Sequence, residues 1–278
     1  MAKTTQSALA AEEKSLTYIP GAEPSARIDA WWGLVALALL AIIALVIGRP
    51  DPFRRILLFV RDGLWVTVYI TVISFFFTLI AGLFGGLGRL SKNRFIHGLA
   101  TLYVELIRGI PLMVQLIWWY FAFPAVLKSL GAARGIPALA NYSANANLMA
   151  VIGLTICYGA YMSEIYRAGI QSIPAGQMEA ARSLGMNYVQ AMRFVILPQA
   201  VRVILPPVGN EFVALLKDSS LVSVVAVADL TRRGREFMST NFNPIEVWSL
   251  VALIYLVMTL FSARVVSSIE KRTRSTSH

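Results

Sequence analysis

The chain has 278 residues, 57% hydrophobic and 14% charged, with a mean hydropathy of +0.64. A soluble domain carries about 25% charged residues, so this composition excludes an ordinary water-soluble enzyme and points to a chain solvated largely by hydrocarbon. In so apolar a chain the net charge of +10 is assigned to loops lying against anionic lipid rather than to nucleic acid. With one cysteine, Cys157, and two histidines, His97 and His278, there is no intrachain disulfide and no metal ligand set to assign.

A membrane-crossing helix takes about 20 mostly apolar residues, and about six such segments are legible, which makes the fold class an all-α integral membrane protein. Residues 1–29 read as a polar cytoplasmic tail. The first segment, Trp31 to Gly48, carries no charge and opens on a Trp pair. The long stretch before it and the charged, Pro-rich stretch after it are unlike a cleaved signal peptide. An external linker is expected to complete residues 30–62. Gly63 to Gly88 is again free of charge and long enough to cross with tilt. A third segment runs from about Leu99 to Val126 and contains Glu105 and Arg108. Lys128 to Asn147, with its glycines, Pro137 and asparagines, reads as an external loop. A fourth segment, Leu148 to Ile170, contains Glu164. The fifth, Val201 to Ala228, is expected to be interrupted at Pro206-Pro207 and again at Lys217-Asp218. The sixth is Val247 to Ala263. The main membrane-spanning unit thus covers residues 63–265, with a cytoplasmic tail at 266–278. The basic stretches Arg89 to Arg94 and Arg264 to Arg274 favour the cytoplasmic side for both termini, although Arg49, Arg54, Arg55, Arg61, Arg232, Arg233 and Arg235 then fall outside.

Between segments four and five, residues 174–186 predict a short bounded helix. Pro174 suits a helix start, and Glu179 and Arg182 stand three apart on one face. Ala180 and Ala181 favour helix and leave room for another surface. Gly185 suits a left-handed C-terminal stop, after which Asn187 and Gln190 predict a capping box on the next helix.

The series Glu179-Ala180-Ala181, then Gly185, then Ile196-Leu197-Pro198 resembles the EAA loop of permease subunits in ATP-binding-cassette importers. Further stretches resemble the branch carrying polar amino acids: Gly63 to Thr71, Glu105-Leu-Ile-Arg108-Gly-Ile-Pro111 through Gln115, Ser163-Glu164 through Pro174, and Lys217-Asp218-Ser219-Ser220-Leu221. Ile110 stands where that branch more often has Thr. The resemblance covers about Gly63 to the end and implies a five-helix core with one added N-terminal helix. It also implies a second permease subunit, two ATPase subunits, an extracytoplasmic solute-binding protein and residence in a bacterial inner membrane. Glu179, Ala180, Ala181, Leu184 and Gly185 would then form the coupling helix that docks on the ATPase. The chain has no G-x-x-x-x-G-K-[ST] loop, so ATP and Mg are expected on the partner, with no cofactor on this chain.

Charge at membrane depth is costly unless paired or wet, so deep charged groups are candidates for the substrate path: Glu105, Arg108, Glu164, Glu211, Lys217 and Asp218, with Gln115 beside them. Glu105 and Arg108 are also spaced to neutralise one another, and Arg167 to snorkel beside Glu164. Non-helical polar backbone such as Lys217 to Ser220 is tolerated at depth only where buried or facing water, and interrupted helices often build transporter sites. Gly82 and Gly86 permit close helix packing, and Trp118 to Phe121 resembles an interfacial belt. No nucleophile–base pair is legible, so no catalytic residue is assigned. Groups of both signs suit a zwitterion without distinguishing its side-chain charge. The rival reading is an ion-coupled secondary transporter or channel, which would need no ATPase.

Overall fold

The computed structural model describes residues 30–275, so the tail expected over residues 1–29 lies outside the described residues. Six helical stretches are long and apolar enough to cross a membrane: Trp31–Gly48, Pro50–Leu90, Leu112–Arg134, Ala146–Gln171, Tyr188–Val225 and Pro244–Lys271. In chain order, α1 is Ala30–Gly48, α2 Pro50–Leu90, α3 Arg94–Gly109, α4 Leu112–Ile117, α5 Phe123–Arg134 and α6 Pro137–Ala140. They are followed by α7 Ala146–Gln171, α8 Ala175–Ser183, α9 Tyr188–Ala191, α10 Leu197–Asp218, α11 Leu230–Asn241 and α12 Pro244–Ser275. Single π-turns at Trp118–Ala122 and Met192–Ile196 join α4 to α5 and α9 to α10.

The axis of the bundle is α2 against α7. Their contact is close because α2 presents glycines there. A Cβ on Gly82 would stand 2.5 Å from the Met162 side chain, and one on Gly86 2.9 Å from the Ser163 carbonyl. Small residues let helix backbones approach where apolar burial gives no advantage over lipid. The same face of α2 buries Thr67, Thr71, Ser74 and Thr78. Thr67 and Thr71 turn their hydroxyls back onto the carbonyls of Gly63 and Thr67, at 3.0 and 2.8 Å, which hides the polar groups inside the helix. One apolar core forms where the first half of α2 meets α11 and α12, around Ile56, Val60, Leu230, Val247 and Leu250. A second unites α2, α4, α7 and α10 around Ile70, Leu116, Leu154 and Leu215. The extra helix α1 lies on α12, with the Trp31 indole N–H donating to the Leu260 carbonyl at 3.0 Å.

Four boundaries differ from those expected. The stretch up to residue 62, read as a linker, is helical after a kink at Asp51 (φ −106°, ψ 116°). The third segment is broken at Ile110-Pro111, where both residues are extended (ψ 130° and 137°). Proline pushes the preceding residue out of helix, so the crossing stretch is Leu112–Arg134 and the charges Glu105 and Arg108 stand on the separate helix α3. The expected loop from Lys128 is helical through Arg134, stopped by Gly135 at φ +63°. Conversely, α10 runs unbroken through Pro206 and Pro207. Two adjacent prolines remove only the donors to the Arg202 and Val203 carbonyls, a loss membrane helices tolerate.

Candidate functional site

The helix break expected at Lys217-Asp218 is present. α10 ends at Asp218 and the chain tightens into a 3-10 stretch, Ser219–Val225, closed by Ala226 at φ +65°. Ser219 covers the helix end, its hydroxyl donating to the Leu216 carbonyl at 2.7 Å. Glu211, Ala214 and Asp218 share one face of α10, and that face meets Cys157, Tyr158 and Tyr161 of α7 around a cavity of about 270 Å³. Cys157 and Tyr158 stand near the middle of α7, so the cavity lies at half the depth of the bundle.

The charges around it are incompletely matched. The Tyr158 hydroxyl donates to Asp218 at 2.7 Å. Among the described residues no cation forms an ion pair with Glu211 or Asp218. Arg108 sits over the Tyr161 ring, 5.2 Å from its centroid, within electrostatic reach of Glu211. A guanidinium on an aromatic face is held without spending its N–H donors. The carboxylates and the guanidinium are therefore left open to a ligand.

Gln115 supports this arrangement from behind. Pro111 has no N–H to give the Ile107 carbonyl, and the Gln115 side-chain amide donates to that carbonyl and to Ile110, each at 2.8 Å. It also reaches the Cys157 sulfur at 3.6 Å, on the wall of the cavity. Its Oε1 is buried without a hydrogen-bond partner.

Glu105 and Glu164 belong to a different cluster. Arg89, at the end of α2, donates to Glu164 at 2.6 Å and pairs with Glu105 at 3.5 Å. Glu164 is also bridged by Arg167, which in turn donates to Gln171 at the end of α7. The expected Glu105–Arg108 neutralisation is absent because Arg89 takes Glu105 and Tyr161 takes Arg108. Lys217 is exposed, on a flank of α10 turned away from the cavity. Sequence reasoning missed Arg89, Tyr158 and Tyr161. The tyrosines' spacing ahead of Glu164, in steps of three along one helix face, was the signal available for them.

The short helix forms as expected, with Pro174 as N-cap rather than first helical residue. Gly185 is left-handed at φ +82°, and the Met186 N–H returns to the Ala181 carbonyl at 3.2 Å, the closing bond of a glycine-stopped helix end. The Asn187–Gln190 capping box is present in both directions. Glu179 and Arg182 share a face without an ion pair, and the two alanines divide: Ala180 is exposed while Ala181 is buried against the following turn. Leu184, Tyr188, Val189 and Phe194 leave an exposed apolar patch beside the helix. Gln199, near the start of α10, donates to Gln177 at 3.2 Å and ties α8 to that helix.

Six crossing helices, charged groups open at mid-depth and a capped helix exposed at one end define a membrane transport subunit. The chain belongs to the family described as binding-protein-dependent transport system inner membrane component, whose model matches residues 74–275. It is 37% identical over 211 residues to the glutamine transport system permease protein GlnP of Escherichia coli K12, covering 76% of this chain and 91% of that protein. It is 38% identical over 211 residues to the L-cystine transport system permease protein TcyB of Bacillus subtilis, covering 76% and 84%. Among solved structures, a crystal structure of an amino acid ABC transporter with histidines superposes with a TM-score of 0.69 at 38% identity, covering 83% of this chain and 98% of that one.

Proposed function

We propose that this chain is the translocation subunit of an ATP-driven amino-acid importer, driven by a separate ATPase that docks on α8. The observation that carries the reading is the form of residues 174–187. A helix begun at Pro174 and stopped by left-handed Gly185, with Glu179, Ala180 and Leu184 exposed beside an apolar patch, is built to be met by another protein. Its position between two crossing stretches joins that contact to α7 and α10, the helices that wall the mid-depth cavity. On this reading α8, the Arg89 end of α2 and both termini face the cytoplasm, which the basic stretches Arg89 to Arg94 and Arg264 to Lys271 support.

In the working cycle two copies of this chain, or this chain and a close relative, enclose the path, and a solute-binding protein delivers cargo from outside. ATP and Mg bind the ATPase pair, whose closure favours one arrangement of the bundle by binding it more tightly than the other. This chain supplies the substrate path through Arg108, Glu211 and Asp218, with Gln115 holding the α3–α4 break. The Arg89–Glu164–Arg167 cluster ties α2 to the end of α7 nearest α8.

Photo-crosslinking from position 183, in the whole transporter in native membranes, tests the docking. The expected product joins this chain to a nucleotide-binding subunit, with a yield that changes when ATP is trapped. A crosslink to an outer-side protein, or none to an ATPase, overturns the assignment.

A further inference from the structure

The charges open at mid-depth are unequal in number, and the inequality selects a substrate class. Glu211 and Asp218 present two carboxylates to the cavity, while the cation near them, Arg108, stands outside its lining, stacked on Tyr161, which lines it. Lys217, Glu105 and Glu164, which the sequence placed among the same candidates, do not line it, the last two being held by Arg89. We propose, resting on the importer reading above, that the cavity takes amino acids whose side chain carries a positive charge, such as arginine or lysine.

The argument is one of charge matching. Every zwitterionic amino acid brings one carboxylate and one ammonium. Arg108 matches the carboxylate, and Glu211, which lines the cavity within electrostatic reach of Arg108, matches the neighbouring ammonium. With those pairs made, Asp218 remains. It is oriented by the Tyr158 hydroxyl at 2.7 Å and has no cationic partner of its own among the described residues. A carboxylate left unmatched at membrane depth is costly, and a cationic side chain removes that cost. A neutral side chain leaves it in place, and an acidic one adds a second like charge. Selectivity then arises from the partner left unpaired by the wrong ligand.

The test is binding of L-arginine, L-lysine and L-glutamine to the permease–ATPase assembly in nanodiscs, measured by calorimetry without the external binding protein. Arginine and lysine should bind at least about tenfold more tightly than glutamine. Asp218→Asn should weaken arginine by about tenfold and glutamine by less than about threefold, because only the side-chain contact is lost. Asp218→Glu should keep the preference, which separates lost charge from lost folding. Arg108→Gln should weaken all three alike, since it meets the group they share. Equal affinity for glutamine and arginine, or an Asp218→Asn loss common to both, overturns the charge class while leaving an amino-acid site standing. Absence of binding by any amino acid overturns both the charge class and the substrate path on which it rests.

Discussion

The α2–α7 contact and the α8 helix are opposite solutions within one chain. At the first there is no slack: the positions of Gly82 and Gly86 cannot accept a Cβ without displacing Met162 or the backbone at Ser163. At the second, a Cβ on Gly176 or Gly185 would meet nothing within 4 Å, and the helix is bounded by Pro174 and Gly185 and left largely uncovered. The contrast teaches where motion is transmitted and where it is received. Close-packed helices shift as a unit because their interiors do not deform gradually. A capped, uncovered helix keeps its shape while offering its surface. If an ATPase docks on α8 as proposed, force applied there would pass inward at buried Ala181, at the Gln177–Gln199 bond and through the end of α7.

The largest expected effect breaks the packed side of that contrast. Gly82→Leu forces a branched side chain into space already filled by Met162, and overpacking of this kind costs about 3 kcal/mol or more. Purified protein should fall to a small fraction of the parental monodisperse yield on size exclusion, with a lowered melting temperature. A variant that melts like its parent would show that α2 and α7 are separable. Next in size, and opposite in kind, is Glu179→Lys. Glu179 is exposed and forms no ion pair among the described residues, so the melting free energy should change by less than about 0.5 kcal/mol. Uptake in vesicles carrying the whole transporter should nevertheless fall by at least about tenfold, through lost docking. Normal uptake would mean that α8 receives nothing there.

The same contrast explains what could be read in advance. The short helix was legible almost to the residue because its determinants are local: Pro174, Gly185 and the Asn187–Gln190 pair each act within a few positions. The six crossings were legible from apolar length. The α3–α4 break was not, because Leu99 to Val126 reads as one apolar run and only Pro111 marks the division. The partners of the deep charges were hidden more thoroughly. Glu105 has a suitable neighbour three residues away, yet its partner is Arg89 on another helix, and Arg108 goes to Tyr161 on a third. Spacing shows which pairs are possible along one helix. It does not show which helix approaches closely enough to take the charge first.

Asp229 lies between the two extremes, capped like α8 and buried like α2. It precedes α11 and accepts the N–H groups of Thr231 and Arg232 at 3.1 and 3.0 Å, with the Tyr255 hydroxyl at 3.4 Å. Burial pushes its pKa up from the usual aspartate value, and those hydrogen bonds offset the push only in part. The nearby guanidiniums do not complete the compensation, since Arg232 is paired with Glu236 and Arg233 with Asp62 and Glu236. A folded pKa above the unfolded one means that the folded state holds the proton more tightly. The resulting stabilisation is complete below the ordinary value of 3.8 and is lost as pH rises through the raised folded value. Asp229→Asn keeps a capping oxygen but does not titrate, so it should gain on the parent steadily as pH rises from about 4 to 7. Asp229→Ala, which loses the cap, should cost about 1 kcal/mol even at neutral pH. Melting curves of the three proteins across that range measure both terms. A gap between parent and Asn variant that is flat, or that moves the other way, would mean that the cap outweighs burial and that α11 is held as α8 is, by its own end.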